Sequence, residues 1–254
     1  MELNPVEKKW ASYFNALLEK ASAQECELIT PFADPRQQEI ALQLSRSFPA
    51  CGIVFSGGYS GAERARMLIF PRTRVPREEQ YVTPLLISGS FPPGMLSHRD
   101  FLGAILGLGI KREMVGDIIC RDTETLVFLL PEMAVFVEQH LQQIGRYSVN
   151  GTIPEEIPPS LIGGQNRVKE IRGTVASLRL DAVAGLGFGL SRSRITPLVR
   201  GEQVKLNHQA ISQPSRSVKE GDLISLTGRG RVEVVEVLGE TRKGRISLKL
   251  RRLI

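Results

Sequence analysis

The chain has 254 residues, 42% of them hydrophobic, and its 33 Lys and Arg against 27 Asp and Glu give a formal net charge of +6. That length accommodates two or three compact cores, and the most apolar stretch, Leu126 to Val137, is too short to cross a bilayer and contains Pro131 and Glu132. No basic patch precedes an apolar run at the start, so a cytoplasmic protein without a secretory signal is expected.

The first elements announce themselves by their starts. Asn4-Pro5-Val6-Glu7 supplies a cap, a first-turn proline and a capping-box glutamate, and Trp10, Phe14, Leu17 and Leu18 share a face, predicting a helix to about Lys20. Asp34-Pro35-Arg36-Gln37 repeats the signal, with Ile40, Leu44 and Phe48 behind it and Pro49 as the stop. Cys51–Phe55 and Met67–Phe70 read as strands, so residues 1–76 are expected to form a small N-terminal α/β unit.

Residues 77–160 carry a clearer order. Val82–Ser88 reads as a strand, Ser97–Leu108 as a helix, Val115–Cys120 and Thr125–Leu130 as a hairpin, Pro131–Ile144 as a helix and Arg146–Ile153 as a strand. The resulting βαββαβ order is that of a ferredoxin-like, RNA-recognition-motif-like plait. Its third strand offers only Phe128 as a stacking aromatic, and the surrounding Thr-Leu-Val-Phe-Leu-Leu makes that a core residue. Pro154, Pro158, Pro159, Gly163 and Gly164 predict a linker, and 161–178 is taken as linker plus a leading strand, Val168–Val175.

Charge singles out the remaining segment, 179–254. From Asp181 onward there are 14 Lys and Arg against 7 Asp and Glu; before it the counts are 19 and 20. Such a bias suits a polyanion, because each cation that neutralises a phosphate releases counterions. Ser191-Arg192-Ser193-Arg194 opens a helix after a glycine-rich turn, so Ser191 is expected to cap it while free amides and both arginines face a phosphate. Arg200-Gly201 ends that helix, and Val204-Lys205-Leu206-Asn207 forms a strand and turn. Arg229 and Arg231 stand on glycine-spaced backbone, and Lys243 and Arg245 belong to a basic hairpin tip, Thr241-Arg242-Lys243-Gly244-Arg245. The candidate RNA contacts are therefore Ser191, Arg192, Ser193, Arg194, Arg200, Lys205, Asn207, Arg229, Arg231, Lys243 and Arg245.

Other motifs carry less. Gly185-Leu-Gly187-Phe-Gly189 lacks the Gly-Lys-Ser/Thr of a phosphate loop and reads as a turn between helices. Gly57-Gly58-Tyr59-Ser60-Gly61 with Glu63-Arg64 is either an anion site or a loop between strands. In Ser97-His98-Arg99-Asp100 adjacent helical residues do not converge, so Ser97 is expected as a cap answered by Asp100, not as part of a triad. Cys26, Cys51 and Cys120 match no paired-thiol motif, and His98, His140 and His208 have no metal-ligand spacing, so neither cofactor nor metal is expected.

The ordered set Arg179-Leu180-Asp181, Ser191-Arg192-Ser193-Arg194, Arg200-Gly201, Val204, Asn207, Pro214-Ser215 and Gly221-Asp222 resembles the S-four RNA-binding domain. With Phe55-Ser56-Gly57-Gly58-Tyr59, Ser97 to Gly103 and Gly116-Asp117-Ile118 the resemblance extends to the YlmH family, whose cyanobacterial members are called photosystem II S-four-domain proteins. It implies an αα-β module that grips structured RNA. It also implies ribosomal RNA or tRNA as partner and a place on the large ribosomal subunit during rescue of stalled ribosomes; a monomer is expected. Two alternatives stay open. Arg179-Leu180-Asp181 echoes a motif of pseudouridine synthases, which carry this module beside a catalytic domain, and the N-terminal units suit a protein-interaction factor in cell division or photosystem assembly. Two departures predict local differences: Pro197 inside the module's second helix, and His208 where the family usually has glycine.

Overall fold

The computed structural model describes residues 3–76, 81–162 and 168–253. The chain divides into two compact units, Met1–Gly163 and Gly164–Ile254.

The first unit begins with α1 (Pro5–Gln24), where Asn4 Oδ1 accepts the Glu7 N–H and Glu7 Oε2 accepts the Asn4 N–H, each at 2.9 Å. The helix passes its expected end at Lys20 and closes at Glu25, whose φ is 47°. Asp34 and Gln37 form the same box at α2 (Pro35–Ser45). Both helices pack on a three-stranded antiparallel sheet of β1 (Leu28–Ile29), β2 (Cys51–Ser56) and β3 (Arg66–Pro71), ordered β1-β3-β2. Phe14, Leu18, Ala41, Met67 and Ile69 fill the space between. Arg36 is buried there, tied to Glu7 at 2.9 Å and Glu39 at 2.6 Å.

Next comes a five-stranded antiparallel sheet of β4 (Thr83–Gly89), β5 (Val115–Arg121), β6 (Glu124–Leu129), β7 (Gln143–Ile144) and β8 (Tyr147–Thr152), with α3 (His98–Gly107) and α4 (Pro131–His140). The order β5-β6-β4-β8-β7 is that of the expected plait with one short strand added. Phe101 and Ile105 of α3 and Ala134 and Val137 of α4 cover Leu85, Ile87, Val127 and Leu129 on one face. The second helix is shorter than expected. Leu141 N–H makes its last bond, to Val137 O, and Gln143-Ile144 instead pair with Tyr147-Ser148 across a turn at Gly145, φ 58°. The proline-rich stretch expected as a linker packs against the unit as far as Ile162. Ile157 and Ile162 lie on the core, and Leu161 of α5 (Pro159–Ile162) is buried. Gly163 and Gly164 fall outside the described residues.

The second unit is a six-stranded antiparallel sheet carrying two helices. Its elements are β9 (Val168–Val175), α6 (Leu180–Phe188), α7 (Arg192–Arg200), β10 (Val204–Leu206), β11 (Gln209–Ala210), β12 (Leu223–Leu226), β13 (Gly230–Glu240) and β14 (Ile246–Leu253). The order is β11-β10-β12-β13-β14-β9, so β9 forms one edge, paired with β14 along its whole length. Leu180, Val183, Ala184, Phe188, Ile195 and Val199 of the helices meet Val232, Val234, Leu248 and Leu250 of the sheet.

The glycine-rich motif expected as a turn lies mostly inside α6, and only Gly189 adopts the left-handed cap, φ 65°. The reason is close packing. A Cβ on Gly187 would stand 2.6 Å from Val232 Cγ1, and one on Gly185 would stand 3.0 Å from Leu190 O. Pro197 sits within α7, which nevertheless runs on to Arg200. The ring removes only one rung, to the carbonyl of Ser193 in the first turn.

Candidate RNA-binding surface

The start of α6 has no capping side chain. Its first amides are satisfied from the segment before β12, Leu180 N–H by Arg216 O at 2.8 Å and Asp181 N–H by Pro214 O at 3.1 Å. This places Asp181, 1% exposed, beneath two arginines. Arg179 donates Nε and Nη2 to its two oxygens at 3.1 and 3.2 Å, and Arg192 donates Nε to Oδ2 at 3.0 Å. Burial alone would raise the Asp181 carboxyl, but the hydrogen bonds and charges of the two arginines prevail and hold it below the ordinary carboxylate value. Arg192 is thereby pinned by one edge while its side chain stays 67% exposed.

Ser191 occupies the cap position of α7, but its hydroxyl lies 2.9 Å from that of Ser193 and makes no bond to a helix amide, contrary to expectation. The Arg192 and Ser193 N–H groups have no acceptor among the described residues, so the first turn still presents bare donors. Arg194, Arg200 and Lys205 are exposed, and their cationic groups have no partner among the described residues. Arg200 is the last residue of α7, and Lys205 is the outward residue of β10 between buried Val204 and Leu206. A single connection, residues 201–203, joins Lys205 to the helix that carries Arg192, Arg194 and Arg200.

Asn207 has a different job. Its Nδ2 donates to Asp222 Oδ1 at 2.8 Å and its Oδ1 accepts the Leu223 N–H at 2.8 Å, locking the β10–β11 hairpin to the start of β12. Asn207 and His208 both have positive φ, 48° and 67°, as a two-residue hairpin turn of the primed type requires. His208 therefore adopts the left-handed conformation that a glycine would take without strain.

The other two basic clusters lie at opposite ends of β13, roughly 30 Å apart along that strand. Arg229 is exposed in the β12–β13 turn, and Thr227 at the start of that turn donates its N–H to Gln203 O in the connection between α7 and β10. Arg231 is half-buried on β13, and burial lowers its guanidinium pKa. At the far end Lys243 is exposed, whereas Arg245 is tied to β9 through Thr174 Oγ1 at 2.9 Å and Thr174 O at 2.7 Å. The candidates thus do not form one patch. Arg192, Arg194, Arg200 and Lys205 are consecutive on α7 and β10, Arg229 borders them, and Lys243 and Arg245 stand apart.

In the first unit the glycine loop has already found its anion. Asp117 Oδ2 accepts the Tyr59 hydroxyl at 2.9 Å and the Glu63 N–H at 2.7 Å, and its Oδ1 accepts the Arg64 N–H at 3.1 Å. Burial, with Asp117 beside it, raises the Tyr59 hydroxyl above its ordinary value. Ser97 and Asp100 behave as expected, with the carboxylate accepting from Ser97 N–H at 2.8 Å and Ser97 Oγ at 2.7 Å.

The plait face that would meet RNA in an RNA-recognition motif is closed. Phe128 is fully buried and stacked under Tyr59 with centroids 4.7 Å apart, and Phe32, Tyr81, Val82, Ile157 and Ile162 pack around it. Among the described residues no group of His, Cys, Asp and Glu suits a metal, and no helix is long and apolar enough to cross a membrane.

Comparison with known proteins matches these two regions separately. Residues 76–154 match the model of a putative RNA-binding domain in YlmH, and residues 178–224 match the S4 domain. Over 217 residues the chain is 35% identical to the ribosome-associated protein quality control protein P2 of Bacillus subtilis, covering 85% of this chain and 83% of that protein. A 57-residue stretch is 42% identical to small ribosomal subunit protein uS4 of Dechloromonas aromatica, covering 22% of this chain and 27% of that one. The solved structure of the cell division protein ylmH from Streptococcus pneumoniae shares the fold at a TM-score of 0.55 and 19% identity, over 63% of this chain and 96% of that one. A sheet-backed helix pair with an arginine-bearing second helix, joined to a closed plait and related to P2 over most of its length, places this chain in the YlmH family of proteins with a C-terminal S4 domain.

Proposed function

We propose that this chain is a cytoplasmic, non-enzymatic binding protein that grips structured ribosomal RNA or tRNA on the large ribosomal subunit, in the quality control of stalled ribosomes. The observation that carries the reading is the run of exposed cations Arg192, Arg194, Arg200 and Lys205 on α7 and β10, with Arg192 already oriented by Asp181. Exposed cations with donors to spare, one of them held in orientation, are what a phosphate backbone selects. The name of the Bacillus subtilis relative supports the ribosomal setting. Arg229 extends the contact, and Lys243 reaches a separate stretch of RNA.

The pseudouridine-synthase alternative is disfavoured by Asp181 itself, which is buried and engaged by two arginines. The test is co-sedimentation of the full chain with purified large subunits, small subunits and tRNA over a range of salt. Binding to large subunits should fall steeply with salt. The Arg192→Glu, Arg194→Glu double variant should lose roughly a hundredfold or more in affinity at low salt; unchanged sedimentation of that variant overturns the reading.

A further inference from the structure

Because the plait's sheet face is closed, any RNA contact by the first unit must use another surface. One place there holds two arginines whose guanidinium donors the protein does not use up. Arg64, in the connection after β2, and Arg112, in the 3-10 turn Arg112–Met114, share one acceptor, the carbonyl oxygen of Val115. Arg64 Nε stands 3.1 Å from it, and Arg112 Nη1 bonds to it as well. Arg64 Nη2 goes on to Phe32 O at 3.0 Å, and Arg112 Nη1 to Gly116 O at 3.4 Å.

Both side chains are half-buried, and among the described residues neither forms an ion pair. The neighbouring carboxylate, Asp117, is spent on Tyr59 and the loop amides. Arg36 in the same unit shows the usual solution, with a carboxylate on each side. A carbonyl carries only a partial charge, and the carboxylates in range, Asp34, Glu113 and Asp117, act on the two guanidinium groups through space without a hydrogen bond to either. Burial and the charge of Arg64 push the Arg112 pKa down to about 10, against the opposing pull of Asp117 and Asp34. His98, the first residue of α3, lies within the field of both Arg112 and Asp117.

The unused donors point to what is missing. Arg112 Nε and Nη2 and Arg64 Nη1 have no protein acceptor among the described residues, and none is sealed from solvent. An Nε–Nη2 edge matches two oxygens of one phosphate. We propose that Arg112, backed by Arg64, is a second seat for a phosphate of the RNA backbone, on the first unit and separate from the α7–β10 contacts. The proposal rests on the RNA-binding reading above.

Two measurements on the full chain test it. In the first, inorganic phosphate is titrated into protein labelled with nitrogen-15 arginine. The side-chain resonances of Arg112 and Arg64 should shift at concentrations that leave exposed Arg46 unchanged. In the second, Arg112→Gln and Arg112→Lys are compared with wild type for binding to purified large subunits across salt, alongside their melting temperatures. Arg112→Gln should weaken binding severalfold and reduce the salt slope by about one, whereas Arg112→Lys keeps the slope. A fall in melting temperature common to both variants, with the lost slope confined to Arg112→Gln, still supports the seat. Equal slopes for wild type and Arg112→Gln overturn it, and a phosphate shift at Arg112 without any effect on RNA binding assigns the site to free phosphate instead. Should wild-type protein fail to bind subunits, the ribosomal reading falls and the phosphate titration alone decides the seat, with an unmoved Arg112 rejecting it.

Discussion

The two units use arginine in opposite ways. In the second unit Arg192, Arg194 and Arg200 of α7 are exposed, and the one that is paired keeps most of its side chain in solvent. In the first, Arg64 and Arg66 turn inward and donate to the carbonyls of Val115, Phe32, Thr30 and Tyr81, holding chain segments together. The difference teaches that a count of cations says little about binding. What matters is whether the guanidinium edge is consumed by the protein or left for a ligand.

The largest effect that would test this contrast is expected at Asp181. Asp181→Ala removes the acceptor that holds both Arg179 and Arg192 and should cost the second unit about 2 kcal/mol in urea unfolding. With Asp181→Asn the pH dependence carries the signature. The folded pKa lies below the unfolded one, so the stabilisation is present above the unfolded value and disappears as pH falls through the folded value. Wild type should therefore lose stability on acidification more steeply than Asp181→Asn; parallel acid profiles would show that the carboxylate is not the keystone of that surface.

A comparable but purely steric loss is expected from Gly187→Ala, which drives a Cβ to 2.6 Å from Val232 Cγ1. About 1–3 kcal/mol should be lost in thermal or urea unfolding, with RNA affinity of the folded fraction unchanged. Phe128→Leu sharpens the contrast from the other side. It should cost the first unit about 1 kcal/mol and leave RNA affinity untouched, because Phe128 is buried under Tyr59. A tenfold affinity loss at wild-type stability would mean that the plait face opens and reads RNA. The smallest effect belongs to His208→Gly, which relieves a left-handed residue at φ 67° and should raise the melting temperature slightly, by under about 1 kcal/mol of stability.

Several features are legible in the sequence because they depend on neighbouring residues. The capping boxes at Asn4–Glu7, Asp34–Gln37 and Ser97–Asp100 are three-residue relations, and each forms. The βαββαβ order shows in hydrophobic periodicity, and the sheet pairs as that order requires. The end of α4 does not show there, because Gln143-Ile144 gain more from Tyr147-Ser148 than from another helical turn, and that pairing is set by tertiary context. Asn207 stands among the candidate RNA contacts by its sequence position, yet its amide is consumed by Asp222 and Leu223, fifteen and sixteen residues away.

By itself, then, the sequence determined the capped helices, the order of elements in the plait, where positive charge accumulates, and, by resemblance, that the C-terminal helix pair belongs to an RNA-binding module. Only the tertiary structure decided which charges stay available. Asp181 lies eleven residues from Arg192, and the Val115 carbonyl that engages the Arg64 guanidinium lies 51 residues from it. Such pairings follow from the packing of whole elements. The same packing closed the plait over Phe128 and left Arg112 with donors to spare, because a buried polar group takes the nearest acceptor that the fold provides.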